Sequence, residues 1–153
     1  MSLGMQTTNI WVNGCFDILH RGHIELLKFA KSQGDTLTIG IDTDERVKSS
    51  KGPTRPFNST EDRKAFLEAI RYVDKVVTYG SDEELEKQLV ENKIDVMIIG
   101  SDWRGKRVVG EKLVKKLVFF DLTIFFALID NFLAFTNHCS VKNGSIIELD
   151  LSP

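Results

Sequence analysis

The sequence predicts an α/β protein, an open parallel sheet with helices on both faces, and three observations carry that expectation. Short apolar or β-branched runs at 10–12, 36–41, 73–79 and 94–99 alternate with stretches of helical period at 24–31, 60–72 and 82–92. Strand, helix and strand at this spacing require a right-handed crossover and parallel pairing. The run from Ile94 to Ile99 is almost entirely apolar, as a central parallel strand covered on both faces should be.

Ile10-Trp11-Val12 opens the chain as a short buried strand, and Ile24 to Lys31 follows as an amphipathic helix. Between them lies Gly14-Cys15-Phe16-Asp17-Ile18-Leu19-His20-Arg21-Gly22-His23. The free N–H groups and positive dipole end of a first helical turn stabilise an anion by about 0.3–1 kcal/mol. His20 and His23, three apart, add side-chain donors on one side, and Gly22 between them leaves the backbone open to a bulky phosphate. Two other readings stand beside phosphate binding: the histidines are structural, or they bind a metal together with Cys15. A metal would want a fourth ligand, and His138 and Cys139 lie far along the chain.

Ser32-Gln33-Gly34-Asp35 stops the first helix, with Gly34 expected in the left-handed position. Thr36 to Ile41 is an alternating strand, and Asp42 to Lys48 a polar turn into a short helix. Ser49 to Ser59, punctuated by prolines and glycine, reads as a loop whose neighbouring cations Lys48, Lys51 and Arg55 can swing over a triphosphate or stay solvated. The helix expected over Thr60 to Tyr72 has Ser59 or Thr60 as cap, Glu61 and Asp62 in its first turn, and Phe66, Leu67, Ile70 and Val73 on one face. Arg63 sits early and Arg71 late in it, about two turns apart. Val73 to Tyr79 is the third strand, and Asp82 to Asn92 a charged helix with Leu85, Leu89 and Val90 inward. Gly100 to Gly105 follows the fourth strand at the carboxyl edge, where open α/β sheets bind ligands. Val108 to Leu117 is expected as a helix and Val118 to Phe120 as a last strand.

The bulk numbers set limits. A chain of 153 residues is one domain's worth and buries about 70% of its unfolded surface without a staple. Two cysteines make no disulfide framework, so a reducing cytoplasm is the expected compartment. A net charge of −2 argues against a general nucleic-acid or membrane surface. Met1 to Gly4 shows no leader pattern and is left out of the fold.

The run Gly14 to His23 resembles the small cytidylyltransferase-type branch of the nucleotidylyltransferase superfamily, whose members carry G-x-F-D-x-x-H-x-G-H. The likeness spans Ile10 to Asp121 and implies a Rossmann-like sheet. Asp42-Thr43-Asp44-Glu45, Asp62-Arg63-Lys64, Ile70-Arg71-Tyr72-Val73-Asp74-Lys75-Val76 and Gly100 to Lys106 look like glycerol-3-phosphate cytidylyltransferases. Val12 to Asp17 and the loop Val47 to Asn58 instead resemble heptose-phosphate adenylyltransferases. The resemblance implies attack of an acceptor phosphate on the α-phosphorus of CTP or ATP, with Mg²⁺ on the nucleotide phosphates and no protein-held metal. The first expectation is CMP transfer to a small phosphorylated polyol such as glycerol 3-phosphate; the alternative is AMP transfer from ATP to a heptose-type sugar phosphate, or an impaired nucleotide-binding protein.

By the same resemblance His20, His23 and Lys51 are catalytic, and Gly14, Cys15, Phe16, Gly22, Gly100, Asp102 and Trp103 contact the nucleotide. Lys48, Arg55, Arg63 and Arg71 would hold phosphate or acceptor, Asp17 the turn, and Tyr72 and Asp74 a homodimer contact. Trp103 is also read as a packing residue. The pattern breaks after Asp121: the expected arginine and paired hydroxyls are replaced by Leu122 to Phe135, too short for a membrane span of about twenty residues. The nucleotidylyltransferase domain is therefore expected over 5–121, with an atypical tail over 122–153 that is either a substitute apolar helix or the product of a frame change. An exposed phenylalanine-rich tail would also suit an interaction protein.

Overall fold

The computed structural model describes residues 6–121. The elements in order are β1 (Asn9–Gly14), α1 (Arg21–Ser32), β2 (Thr36–Asp42), α2 (Asp44–Lys51), α3 (Thr60–Glu68), β3 (Lys75–Tyr79), α4 (Asp82–Glu91), β4 (Val96–Gly100) and β5 (Lys116–Phe120). Single 3₁₀ turns occupy Ser101–Trp103 and Glu111–Leu113. All pairings are parallel, in the order β3-β2-β1-β4-β5. This is the Rossmann-like architecture the alternating pattern predicts.

Side-chain alternation along β1 divides the core. Ile10 and Val12 pack with Leu26, Leu27 and Ala30 of α1 and Leu67 of α3, whereas Trp11 packs with Leu85 and Leu89 of α4 and with Met97. A fully buried leucine such as Leu27 contributes about 1.5–3 kcal/mol by leaving water. Helix starts are capped from their own sequence: Thr43 Oγ1 accepts from Arg46 N, Ser59 Oγ from Asp62 N, and Ser81 Oγ from Glu84 N.

Several expectations need correction. Gly34 has no left-handed backbone; a Cβ there would lie 2.6 Å from Thr8 O and 2.8 Å from Ile10 Cδ1, so close packing against the start of β1 requires it. The third helix ends at Glu68, with Ala69 as its cap, and Phe66 and Val90 face solvent where burial was expected. Val108 to Leu117 is not a helix. Gly110 takes φ 78 against Leu89, Val108 and Val114 pack on the α4 side, and the N–H groups of Lys115 and Lys116 bond to Asp95 O, starting β5 early. Tyr72 packs on the α1 side of the core, and exposed Asp74 accepts from Lys31 Nζ at 2.6 Å and Leu37 N at 2.7 Å; these contacts do not bear on the dimer contact expected of the pair. The expectations for the tail fall outside the described residues.

Candidate active site

β1 pairs with β2 through Gly14↔Ile41, and β4 with β5 through Gly100↔Phe120. Between β1 and β4, however, the ladder stops at Val12↔Ile98. The two central strands therefore part over their last residues. The chain also switches sides here, running outward through β2 and β3 before returning to β4, so the gap is the topological switch point of the sheet. Gly14, Cys15 and Phe16 leave one side of it, and Gly100, Asp102 and Trp103 leave the other.

The start of α1 is built by the histidines. His20 is the N-cap, and its Nδ1 accepts from Gly22 N at 3.1 Å. His23 reaches back, its Nδ1 accepting from His20 N at 3.3 Å. Two acceptor nitrogens assign both rings as neutral, with the proton on Nε2. The rings lie 3.9 Å apart between centroids. Burial, then the charges of His20 and Lys51, pull His23 down to about 4, and burial also lowers His20. At neutral pH the pair thus presents N–H donors at a helix N-terminus without carrying charge.

Lys51, in the last turn of α2, supplies positive charge that acts on both His23 and Cys15. Lys48 is exposed one turn earlier. Both lysines lie on a helix, not in the loop that follows. Cys15 is half-buried, and burial pushes its thiol up against the opposing influence of Lys51 and Arg63. Phe16 is buried, has φ 50, and sets its ring 5.2 Å from that of His23. A positive φ at a bulky residue is a strained backbone of the kind that clusters at ligand sites.

Asp17 fastens the following loop to this turn. Its carboxylate, 4% exposed, accepts from Phe57 N and Asn58 N at 2.8 Å each and from Arg55 Nε at 3.1 Å. Burial raises its pKa, but the N–H groups of Asn58 and Phe57 and the Arg55 charge outweigh that and hold the carboxyl below its usual range. Arg55 also stacks over Phe57, 4.5 Å from the ring centre.

Arg63 is placed differently from the expectation. It is 0% exposed, and its guanidinium donates to Asn58 O, Cys15 O, Asp42 O, Asp44 Oδ1 and Thr60 Oγ1 at 2.7–3.1 Å. Its donors turn inward to the scaffold. Arg71 lies between α3 and β3 at the opposite edge of the sheet, stacked on Tyr72. The length of α1, about 18 Å, separates that edge from the histidines. Across the gap Asp102 turns its Oδ1 back onto Gly100, where a side chain would collide, and Trp103 is 48% exposed with Lys106 over its ring. Sequence reasoning missed Asn58 and the hub role of Arg63, because their partners lie up to 48 residues away and leave no local signal.

Among the described residues no three His, Cys, Asp or Glu side chains converge as a metal cluster. The acids nearest the turn are committed to protein donors: Asp17 as above, Asp42 to Arg46, and Asp44 to Arg63 and Thr60.

A family model described as cytidylyltransferase-like matches residues 11–130. The chain belongs to the cytidylyltransferase-like family. Its Gly14 to His23 turn lies at the split between β1 and β4, the topological switch point of the sheet. The chain is 43% identical to the bifunctional protein HldE of Campylobacter fetus over 115 residues, 74% of this chain and 25% of that one. It is 45% identical to HldE of Wolinella succinogenes over 109 residues, 71% and 23% of the two chains. The chain thus spans about a quarter of the length of these curated relatives. The crystal structure of the lipopolysaccharide core biosynthesis protein from Thermoplasma volcanium superposes with a TM-score of 0.64 at 27% identity, over 75% of this chain and 98% of that one.

Proposed function

We propose that this chain transfers AMP from ATP to a sugar phosphate of the heptose type, releasing pyrophosphate. The observation that carries the reading is the bonding of Asp17 to Arg55, Phe57 and Asn58. It joins into one unit the two stretches that resemble heptose-phosphate adenylyltransferases. The HldE relatives and the lipopolysaccharide core biosynthesis neighbour favour the same side. The first expectation, CMP transfer to glycerol 3-phosphate, gives way to its alternative.

In this reading the acceptor phosphate oxygen forms a bond to the α-phosphorus while the bond to the bridging α,β oxygen breaks and pyrophosphate leaves. His20 and His23 donate Nε2–H to the phosphates, and Lys51 adds charge as negative charge builds on the leaving group. The nucleotide would enter as its Mg²⁺ complex, in which the metal would offset part of the phosphate charge. Positioning and charge stabilisation suffice, with no general base required. Gly14, Cys15 and Phe16 on one strand end, and Gly100, Asp102 and Trp103 on the other, embrace the nucleoside. Lys48 and Arg55 lie towards the acceptor.

We take the nucleotidylyltransferase domain to extend over 5–121, with the 122–153 segment as an atypical tail. We place the chain in the cytoplasm, where triphosphates are supplied, as a homodimer; light scattering decides the latter. Among the described residues no helix is long and apolar enough to cross a membrane. Pyrophosphate release over ATP or CTP, each with a sugar 1-phosphate or glycerol 3-phosphate, tests the activity. Turnover is expected with ATP and the sugar phosphate. Turnover confined to CTP and glycerol 3-phosphate restores the first reading, and ATP binding without turnover identifies an impaired nucleotide-binding protein.

A further inference from the structure

We infer that Arg63 is a positioning residue for the nucleotide, acting through the Cys15–Phe16 peptide without touching the ligand; the inference rests on the nucleotide-binding reading above. Arg63 Nη1 donates to Cys15 O at 2.8 Å and to Asp42 O at 2.9 Å, so one nitrogen ties the exit of β1 to the exit of β2. Nε holds Asn58 O at 3.1 Å, and Nη2 holds Asp44 Oδ1 at 2.7 Å and Thr60 Oγ1 at 3.1 Å. One planar fork thus sets the relative places of the motif turn, the α2 start and the loop before α3. Lysine, with a single ammonium on a flexible stem, cannot reproduce that plane of donors.

The consequence for ligand lies in the peptide that follows Cys15. A trans peptide is planar, with its C=O and N–H pointing in opposite directions. Drawing Cys15 O onto the buried guanidinium therefore turns Phe16 N–H away from Arg63. The same peptide leads into the left-handed backbone of Phe16, φ 50, a strained conformation that persists only where neighbours impose it. Arg63 supplies the restraint on one side of that residue, and Asp17, fastened to the 55–58 loop, supplies it on the other. Phe16 N–H is the donor this arrangement presents to a phosphate or ribose oxygen at the β1 exit.

Nuclear magnetic resonance on the wild-type chain and calorimetry on two variants test this. On adding MgATP without acceptor, the Phe16 amide is expected to shift and its hydrogen exchange to slow at least tenfold. Arg63→Lys, assayed well below its melting temperature, is expected to bind MgATP at least tenfold more weakly. Asp44→Asn removes the charge partner but keeps both carbonyl contacts; it is expected to lower the melting temperature and leave MgATP affinity within threefold. If Arg63→Lys does not fold, the Phe16 amide measurement on the wild type decides. A wild type that binds MgATP with the Phe16 amide unmoved, or an Arg63→Lys variant that binds as tightly as the parent, overturns the positioning role alone. A wild type that binds neither MgATP nor MgCTP overturns the nucleotide reading and this inference with it.

Discussion

His20 and His23 cap each other's helix turn: the first takes the N–H of Gly22, the second takes the N–H of His20, and the two rings stack at 3.9 Å. Each imidazole is thereby oriented by the backbone it caps. The arrangement makes the two rings part of the helix that carries them.

Replacing His23 by alanine removes one preorganised donor, an effect that typically raises a barrier by about 2.7–4 kcal/mol. Turnover should fall about a hundredfold or more. The lost cap contact at His20 N costs only about 1 kcal/mol of stability, so the variant stays folded. A His23→Ala protein with turnover within threefold of the parent rules out the catalytic role.

Acid should weaken the fold through the same residue. His23 is half-buried and pulled down to about 4 from an ordinary 6.5. Between those values the unfolded chain binds the proton that the folded chain refuses, so stability is full above about 6.5 and declines as pH falls towards 4. The loss is about 3 kcal/mol at most, from 1.36 kcal/mol per unit. His20, also lowered, adds in the same direction, whereas Asp17, Asp44 and Asp95, held below 3.8, act in more acid solution. Urea midpoints at pH 7 and 4.5 should differ in the parent and differ by less in His23→Gln, where only His20 remains of the pair; an equal difference in both proteins contradicts the assignment.

Asp17→Asn keeps the shape but loses the charge that Arg55 pairs with at 3.1 Å, and it sets an amide against the N–H groups of Phe57 and Asn58. Stability should drop by about 1–3 kcal/mol. The loop loosens first, so trypsin should cut after Lys51 sooner in the variant than in the parent under native conditions. Unchanged cleavage kinetics show that Asp17 does not hold the loop.

Gly34→Ala tests close packing at a point remote from the site. The new Cβ would stand 2.6 Å from Thr8 O, so the start of β1 or the end of α1 must shift. A cost of about 1–3 kcal/mol is expected, with KM for ATP unchanged. A neutral substitution means that the β1 start yields without cost.

Local chemistry wrote much of this protein into its sequence. Helix starts at Ser59 and Ser81, the alternation along β1 and β2, and the motif turn between β1 and α1 depend on neighbours a few residues apart, and such patterns survive in a linear reading. Val108 to Leu117 was misleading for the same reason: its helix-like spacing said nothing of the left-handed Gly110 or of Asp95 O drawing the chain into β5. Only the tertiary structure decided where each cation ends up. Lys51, Arg63 and Arg71 are equally basic in the sequence, yet one acts on His23 and Cys15, one is buried as a tie between strand ends, and one lies at the far edge of the sheet. Charge acts over ångströms in space, and the crossovers of a parallel sheet set which residues share an edge only once the chain has folded.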